Sequence, residues 1–265
     1  MSFYADKISK IKKSEKRFQV VSTTYTKKVL LEREQIIFNH EGQGDDNLLL
    51  LVNMVRADAK KYISTNPSFI KKDEKVDFFN LLEVVTNKKM ITKIDCKSAY
   101  WTYAVKIGIV SKKTDEYLLS VCKNLTASYA KELRLKALGS LSTSKLYQDW
   151  ENGKIIKEEI KREATRDIYL EICRGIDQLM KDTAKNVDGC IYYYWDCIFV
   201  ERERNEAVID FIKSQGYDVT SEETSVEFIR IGENGYILSK SDNKMYMTRR
   251  EDSHLIPKFD KSYDN

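Results

Sequence analysis

Two aspartates sit in short apolar segments that read as strands. Asp95 lies in Ile91-Thr-Lys-Ile-Asp-Cys-Lys-Ser-Ala-Tyr-Trp-Thr102, and Asp196 lies in Ile191-Tyr-Tyr-Tyr-Trp-Asp-Cys-Ile-Phe-Val200. Transfer of a nucleotidyl group needs two hard cations about 3.5–4 Å apart, one beside the attacking oxygen and one beside the leaving oxygen. Magnesium takes carboxylate, carbonyl and water oxygens as ligands, and manganese accepts the same set. Two aspartates on adjacent strands, with a main-chain carbonyl beside one of them, satisfy that demand. Taken singly, each has a plainer explanation: Asp95 suits a helix cap at the end of a buried strand, and Asp196 suits one face of a Tyr-rich sheet.

Composition narrows the chemistry. Two histidines, His40 and His254, leave little room for catalysis or metal binding built on imidazole, so carboxylates are the remaining hard-metal donors. The five cysteines (Cys96, Cys122, Cys173, Cys190, Cys197) show no C-x-x-C spacing and read as reduced thiols of an intracellular protein. Lys plus Arg number 45 against 41 Asp plus Glu, a balance that permits nucleic-acid binding through a local basic groove without announcing it. No segment approaches the roughly 20 apolar residues of a membrane span, and the N-terminus is charged, so a cytoplasmic location is expected. With 265 residues and 42% hydrophobic content, the chain can bury a sizeable core.

The elements that must position the aspartates follow from periodicity. The alternation at Phe18–Tyr25 fits a strand or a helix edge. Leu48–Ile63 and Phe78–Val85 read as helices, and residues 1–90 as a mainly helical N-terminal region. One long helix is expected from Thr114 to about Leu138 and another from about Lys154 to Lys185, its stripe beginning at Ile156 and Ile160. Asn186-Val-Asp-Gly189 is a turn before the second aspartate segment. Arg204–Ser214 reads as a helix closed by Gly216, with strands at Ser225–Ile231, Tyr236–Ser239 and Lys244–Met247. This order predicts an α+β fold, an antiparallel sheet with helices on one face.

Four segments, in order, resemble family B DNA polymerases. Asp95, Ser98 and Tyr100 match motif A, D-x-x-S-L-Y-P-S, with Trp101 in place of proline. Asp196 falls on the second aspartate of motif C, Y-x-D-T-D-S, with Tyr194 where the first would stand and Cys197 for serine. Between them, Lys136 and Ser140 keep the lysine-to-asparagine interval of motif B, K-x-x-x-N-S-x-Y-G, within Leu133-Arg-Leu-Lys-Ala-Leu-Gly-Ser-Leu-Ser-Thr-Ser-Lys145. Lys244-Met-Tyr246 matches the K-x-Y element that follows motif C.

The resemblance implies a polymerase-like palm over residues 91–250 with a short helical fingers insertion at about 103–150, followed by a polar tail at 251–265. It implies neither a full thumb nor an exonuclease domain. Two Mg²⁺ ions would be held by Asp95, Asp196 and the main-chain carbonyl of Cys96, with Mn²⁺ as a substitute. Ser98, Tyr100, Lys131, Arg134, Lys136 and Ser140 would bind a deoxynucleoside triphosphate, Tyr100 excluding a 2′-hydroxyl, while Lys244 and Tyr246 would touch the primer. The partners implied are primer-template or single-stranded DNA and a replication protein, in a viral or mobile-element setting. The missing carboxylate at Tyr194 and the missing asparagine at motif B keep a second class open, a palm that binds nucleic acid or a replication partner without catalysis. The basic residues Lys10, Lys12, Lys13, Lys16 and Arg17 fit either a grip on duplex or a solvated helix face.

Overall fold

The computed structural model describes residues 17–23, 26–31, 35–39, 46–67, 76, 79–81, 89–123, 126–231, 234–239 and 244–247. In chain order the elements are β1 (Arg17–Ser22), β2 (Thr26–Leu30), β3 (Gln35–Asn39), α1 (Asp46–Thr65), β4 (Phe79–Leu81), β5 (Lys89–Cys96), α2 (Ala99–Lys106), α3 (Lys112–Cys122) and α4 (Ala127–Gly139). There follow β6 (Ser144–Glu151), β7 (Lys154–Arg162), α5 (Thr165–Asn186), β8 (Cys190–Tyr194), β9 (Cys197–Glu201), α6 (Asn205–Ser214), β10 (Val219–Ile231), β11 (Asn234–Ser239) and β12 (Lys244–Met247). The fold is α+β with two antiparallel sheets. None of the described helices is long and apolar enough to cross a membrane.

The chain divides into two compact units, one of residues 1–74 and 100–173, the other of residues 75–99 and 174–265. Residues 251–265, expected to be a polar tail, lie outside the described residues.

In the first unit a five-stranded sheet runs β3-β2-β1-β6-β7. Phe18 stacks on Trp150 across β1 and β6, with ring centroids 5.7 Å apart and planes within 7°. Alternation at Phe18, Val20 and Val29 places these side chains in a small core beneath the sheet. Among the described residues, the N-terminal region thus carries three strands beside its helix α1. Beside the sheet, α1 to α4 bury a second core around Leu51, Val55, Trp101, Leu118, Leu133 and Leu141.

Two expected helices are resolved differently. The tract 114–138 is two helices, because the Thr126 hydroxyl accepts the Tyr129 N–H (3.3 Å) and starts α4 afresh. The tract beginning at Lys154 is a strand until Arg162, and its helix begins only at Thr165. Ile156 and Ile160, four apart, share a face in either conformation. Asn152 (φ 48°) and Gly153 (φ 78°) decide between them, forming a two-residue hairpin turn in the left-handed region that commits β7 to pair with β6.

The second unit is a seven-stranded sheet of order β12-β11-β10-β5-β9-β8-β4, antiparallel throughout. Phe79–Leu81, expected to be helical, is its short edge strand β4. Along the chain β5, α5, β8, β9, α6 and β10 follow the sequence β-α-β-β-α-β, and the spatial order β10-β5-β9-β8 is that of a split β-α-β unit. Ile94, Ile198 and Tyr193 are cross-strand neighbours on one face. The Tyr193 hydroxyl donates to Asp177 on α5 (3.1 Å), so that face carries the helix. On the other face Tyr192 stacks on Phe199 at 4.0 Å, and Asp95 is borne there beside Cys197.

Candidate functional site

The central strand β5 ends at Asp95-Cys96, and the β8–β9 hairpin turns at Trp195-Asp196. Register fixes how they meet. Asp95 lies directly opposite Cys197, and the Cys96 N–H donates to the Asp196 carbonyl at 3.0 Å. On the other flank the Lys97 N–H donates to the Asp218 carbonyl at 2.8 Å, so the end of β5 is held from both sides. The two aspartates thus reach the same end of adjacent strands, and both are half-buried.

The hairpin is tight enough to force Trp195 to φ 58°, a conformation unusual for a bulky side chain. Its ring meets that of Tyr194 edge-on at 6.0 Å, and Tyr194, in the position of the missing carboxylate, is exposed. Ser98 is also in the left-handed region, at φ 53°, where the chain leaves β5 for α2.

Electrostatics tie the aspartates to one neighbourhood. Burial pushes the Cys96 thiol far above its ordinary range, and the negative charges of Asp196 and Asp95 push it further. Burial does the same for Cys197, with Asp95 and Asp196 adding to it and the Lys93 ammonium opposing. What the site offers is carboxylate and main-chain carbonyl oxygen, the donor type that hard divalent cations take. Among the described residues no group of three or more His, Cys, Asp or Glu side chains gathers closely enough to hold a metal ion, so any ion here would rest on the aspartate pair and carbonyls. Lys93, outside the motif-like positions, is two residues before Asp95 and shares its strand face. Strand period alone would have found it.

The remaining predicted residues divide between the units. Tyr100 belongs to the first, where it packs half-buried against the helical core. Lys131, Arg134 and Lys136 lie on α4 of the same unit; Lys131 is exposed, Arg134 places its charge near Cys122, and Lys136 pairs with Glu132 one turn back. Ser140 requires a correction. It is fully buried and its hydroxyl donates to the Ala137 carbonyl (2.7 Å), closing the end of α4, so it cannot meet a triphosphate. Lys244 and Tyr246 occupy alternate positions of β12, opposite Ser239 and Ile237 of β11. Arg17 is committed to Glu151 at 2.7 Å; Lys10, Lys12, Lys13 and Lys16 lie outside the described residues.

Comparison with protein-family models, curated proteins and solved structures finds no match.

Proposed function

We propose that the protein is a minimal nucleotidyltransferase that adds deoxynucleotides to a primer 3′ end, with Asp95 and Asp196 as its catalytic carboxylates. The observation that carries this is the pairing of the two strand ends: Asp95 opposite Cys197, with the Cys96 N–H on the Asp196 carbonyl. Divalent cations bound there would supply Lewis-acid stabilisation of the attacking and leaving oxygens. The chain's part is to hold the two carboxylates and the Cys96 carbonyl at the same end of two paired strands. Lys93 adds a positive charge on the same face, suited to phosphate oxygens. The order of the motif-like segments supports roles for Ser98 and Tyr100 beside the incoming nucleotide, for Lys131, Arg134 and Lys136 as phosphate-facing cations, and for Lys244 and Tyr246 at the primer.

The deciding experiment is primer extension in Mg²⁺ and in Mn²⁺, with and without template, comparing the intact chain with Asp95→Ala and Asp196→Ala. Extension that disappears in both variants is expected. Extension that survives both removes the assigned carboxylates. Within an active enzyme, Tyr100→Ala is expected to admit ribonucleotides more readily, and unchanged sugar discrimination rejects its role as the steric gate.

Burial of Ser140 and the tyrosine at position 194 favour a second reading, a palm that binds nucleic acid without catalysis. Retained DNA binding by a protein inactive in every metal and template condition selects that reading over the first.

A further inference from the structure

Asp95 is not the only charge on its strand face. Lys93 precedes it by two residues and Lys97 follows it by two, so alternate positions along one face of β5 and its continuation read Lys, Asp, Lys at steps of about 6.7 Å. Lys97 lies just past the strand, but pairing with β10 runs on through it: beyond Cys96 opposite Val219, the Lys97 N–H donates to the Asp218 carbonyl at 2.8 Å. Lys93 is half-buried and Lys97 exposed. The Lys93 ammonium is near enough to the strand end to oppose the upward shift of the Cys197 thiol, which lies opposite Asp95. Register sets an acid of β10 across from each lysine, Glu222 from Lys93 and Asp218 from Lys97. Opposite charges so placed ordinarily attract one another into ion pairs. Among the described residues no salt bridge joins either couple, although Glu223, on the other face of β10, pairs with Arg202 at 2.9 Å.

A bare cation on the aspartates is poorly served by such neighbours. A divalent ion at Asp95 has a lysine two residues away on either side, and like charges at that range oppose one another. A ligand of both signs removes the conflict, its metal resting on the carboxylates while anionic oxygens on either side of the metal meet the ammonium groups. A chain of phosphates with its bound divalent ion has that order of charge, and a lysine serves phosphate oxygens as a compact charge with three donors. The count of protein donors agrees. Among the described residues no third His, Cys, Asp or Glu side chain joins the two aspartates closely enough to share an ion. An ion held there takes its other ligands from elsewhere, and Mg²⁺ ordinarily takes them from water and substrate phosphates.

Given the nucleotidyl transfer proposed above, on which this rests, we infer that Lys93 and Lys97 are the triphosphate-binding cations of the site, one on each side of the ion that Asp95 carries. Two titrations of the full chain test it: Mn²⁺ alone, followed by electron paramagnetic resonance, and preformed Mn²⁺–tripolyphosphate, followed by calorimetry. Lys93→Gln and Lys97→Gln are each expected to weaken uptake of the complex about tenfold. Mn²⁺ alone is expected to bind both variants as tightly as the wild type or up to about threefold more tightly, because a neighbouring positive charge has gone. Misfolding does not move the two ligands apart in this way. Lys113→Gln, exposed on α3, is expected to move neither. Wild-type affinity for the complex in both lysine variants overturns the inference, because Lys93 and Lys97 then serve only Glu222 and Asp218. A parallel loss of both ligands also overturns it, since the lysines then hold the fold. Mn²⁺ uptake that survives Asp95→Asn is a different result: the aspartate reading fails, and the lysine assignment with it. Uptake lost in Asp95→Asn, beside unchanged tripolyphosphate affinity in the lysine variants, strikes the lysines alone.

Discussion

Asp95 and Asp196 gain their meaning from what lies beside them. A carboxylate half-buried at a strand end is unremarkable alone, but Asp95 and Asp196 lie at the same end of two paired strands. Position 195 shows the same economy, because a two-residue turn places Asp196 next to β5 only if Trp195 accepts a left-handed backbone. Gly189, at the turn before β8, is held at φ 83° with the Arg204 and Glu201 side chains where a Cβ would go. Gly189→Ala is expected to lower stability by about 1–2 kcal/mol, read from the urea midpoint, and a neutral result removes the need for glycine there. Nearby, burial and then the Asp188 charge push the Cys190 thiol up to about 11. A thiol raised in the folded state keeps its stabilisation below the unfolded pKa and loses it as pH climbs toward the folded one. Unfolding free energy is therefore expected to fall between about pH 9 and 11, less steeply in Cys190→Ser. Equal slopes in the two proteins dismiss that assignment.

At the level of elements, the parts of the fold dictated by local chemistry were legible in the chain and the parts decided by pairing were not. The Asp95 and Asp196 strands, the helix ending at Gly216 and the three C-terminal strands follow from alternation and turn residues. Ile156 and Ile160 misled because a spacing of four suits a helix and a strand alike, and Asn152-Gly153 was the local signal that separated the two. Ser140 misled differently: its interval from Lys136 fits a nucleotide-binding helix, yet its hydroxyl closes that helix, a fact set by burial and not by spacing. The pairing of β5 with β9, residues more than a hundred apart, has no local signature at all, and it is the pairing that makes the site. Within the helical core, Asp58 on α1 accepts from the Ser111 N–H (2.9 Å) and the Thr114 hydroxyl (2.6 Å), clamping the start of α3. Asp58→Ala is expected to cost about 1.5–3 kcal/mol in chemical denaturation. A cost below about half a kcal/mol shows that α3 is held by apolar packing alone.

For the whole molecule, the division into two compact units separates the aspartates from the α4 cations. The first unit offers Lys131 and Arg134 on a helix, and the second offers carboxylates and Lys93 on a sheet. On the proposed function, Lys131 and Arg134 meet the phosphates of bound nucleic acid. Binding to single-stranded DNA is expected to weaken steeply with added salt, with a shallower slope in Lys131→Ala/Arg134→Ala, as measured by fluorescence anisotropy. A slope unchanged by that pair means the α4 cations do not meet phosphate.

The most direct test of the account is Mn²⁺ binding followed by electron paramagnetic resonance in the intact chain, Asp95→Asn and Asp196→Asn. Two carboxylates sharing one site predict that either substitution alone abolishes high-affinity Mn²⁺ uptake, with no further loss in the double variant. Wild-type uptake in both single variants, or separate losses that simply add, would contradict it.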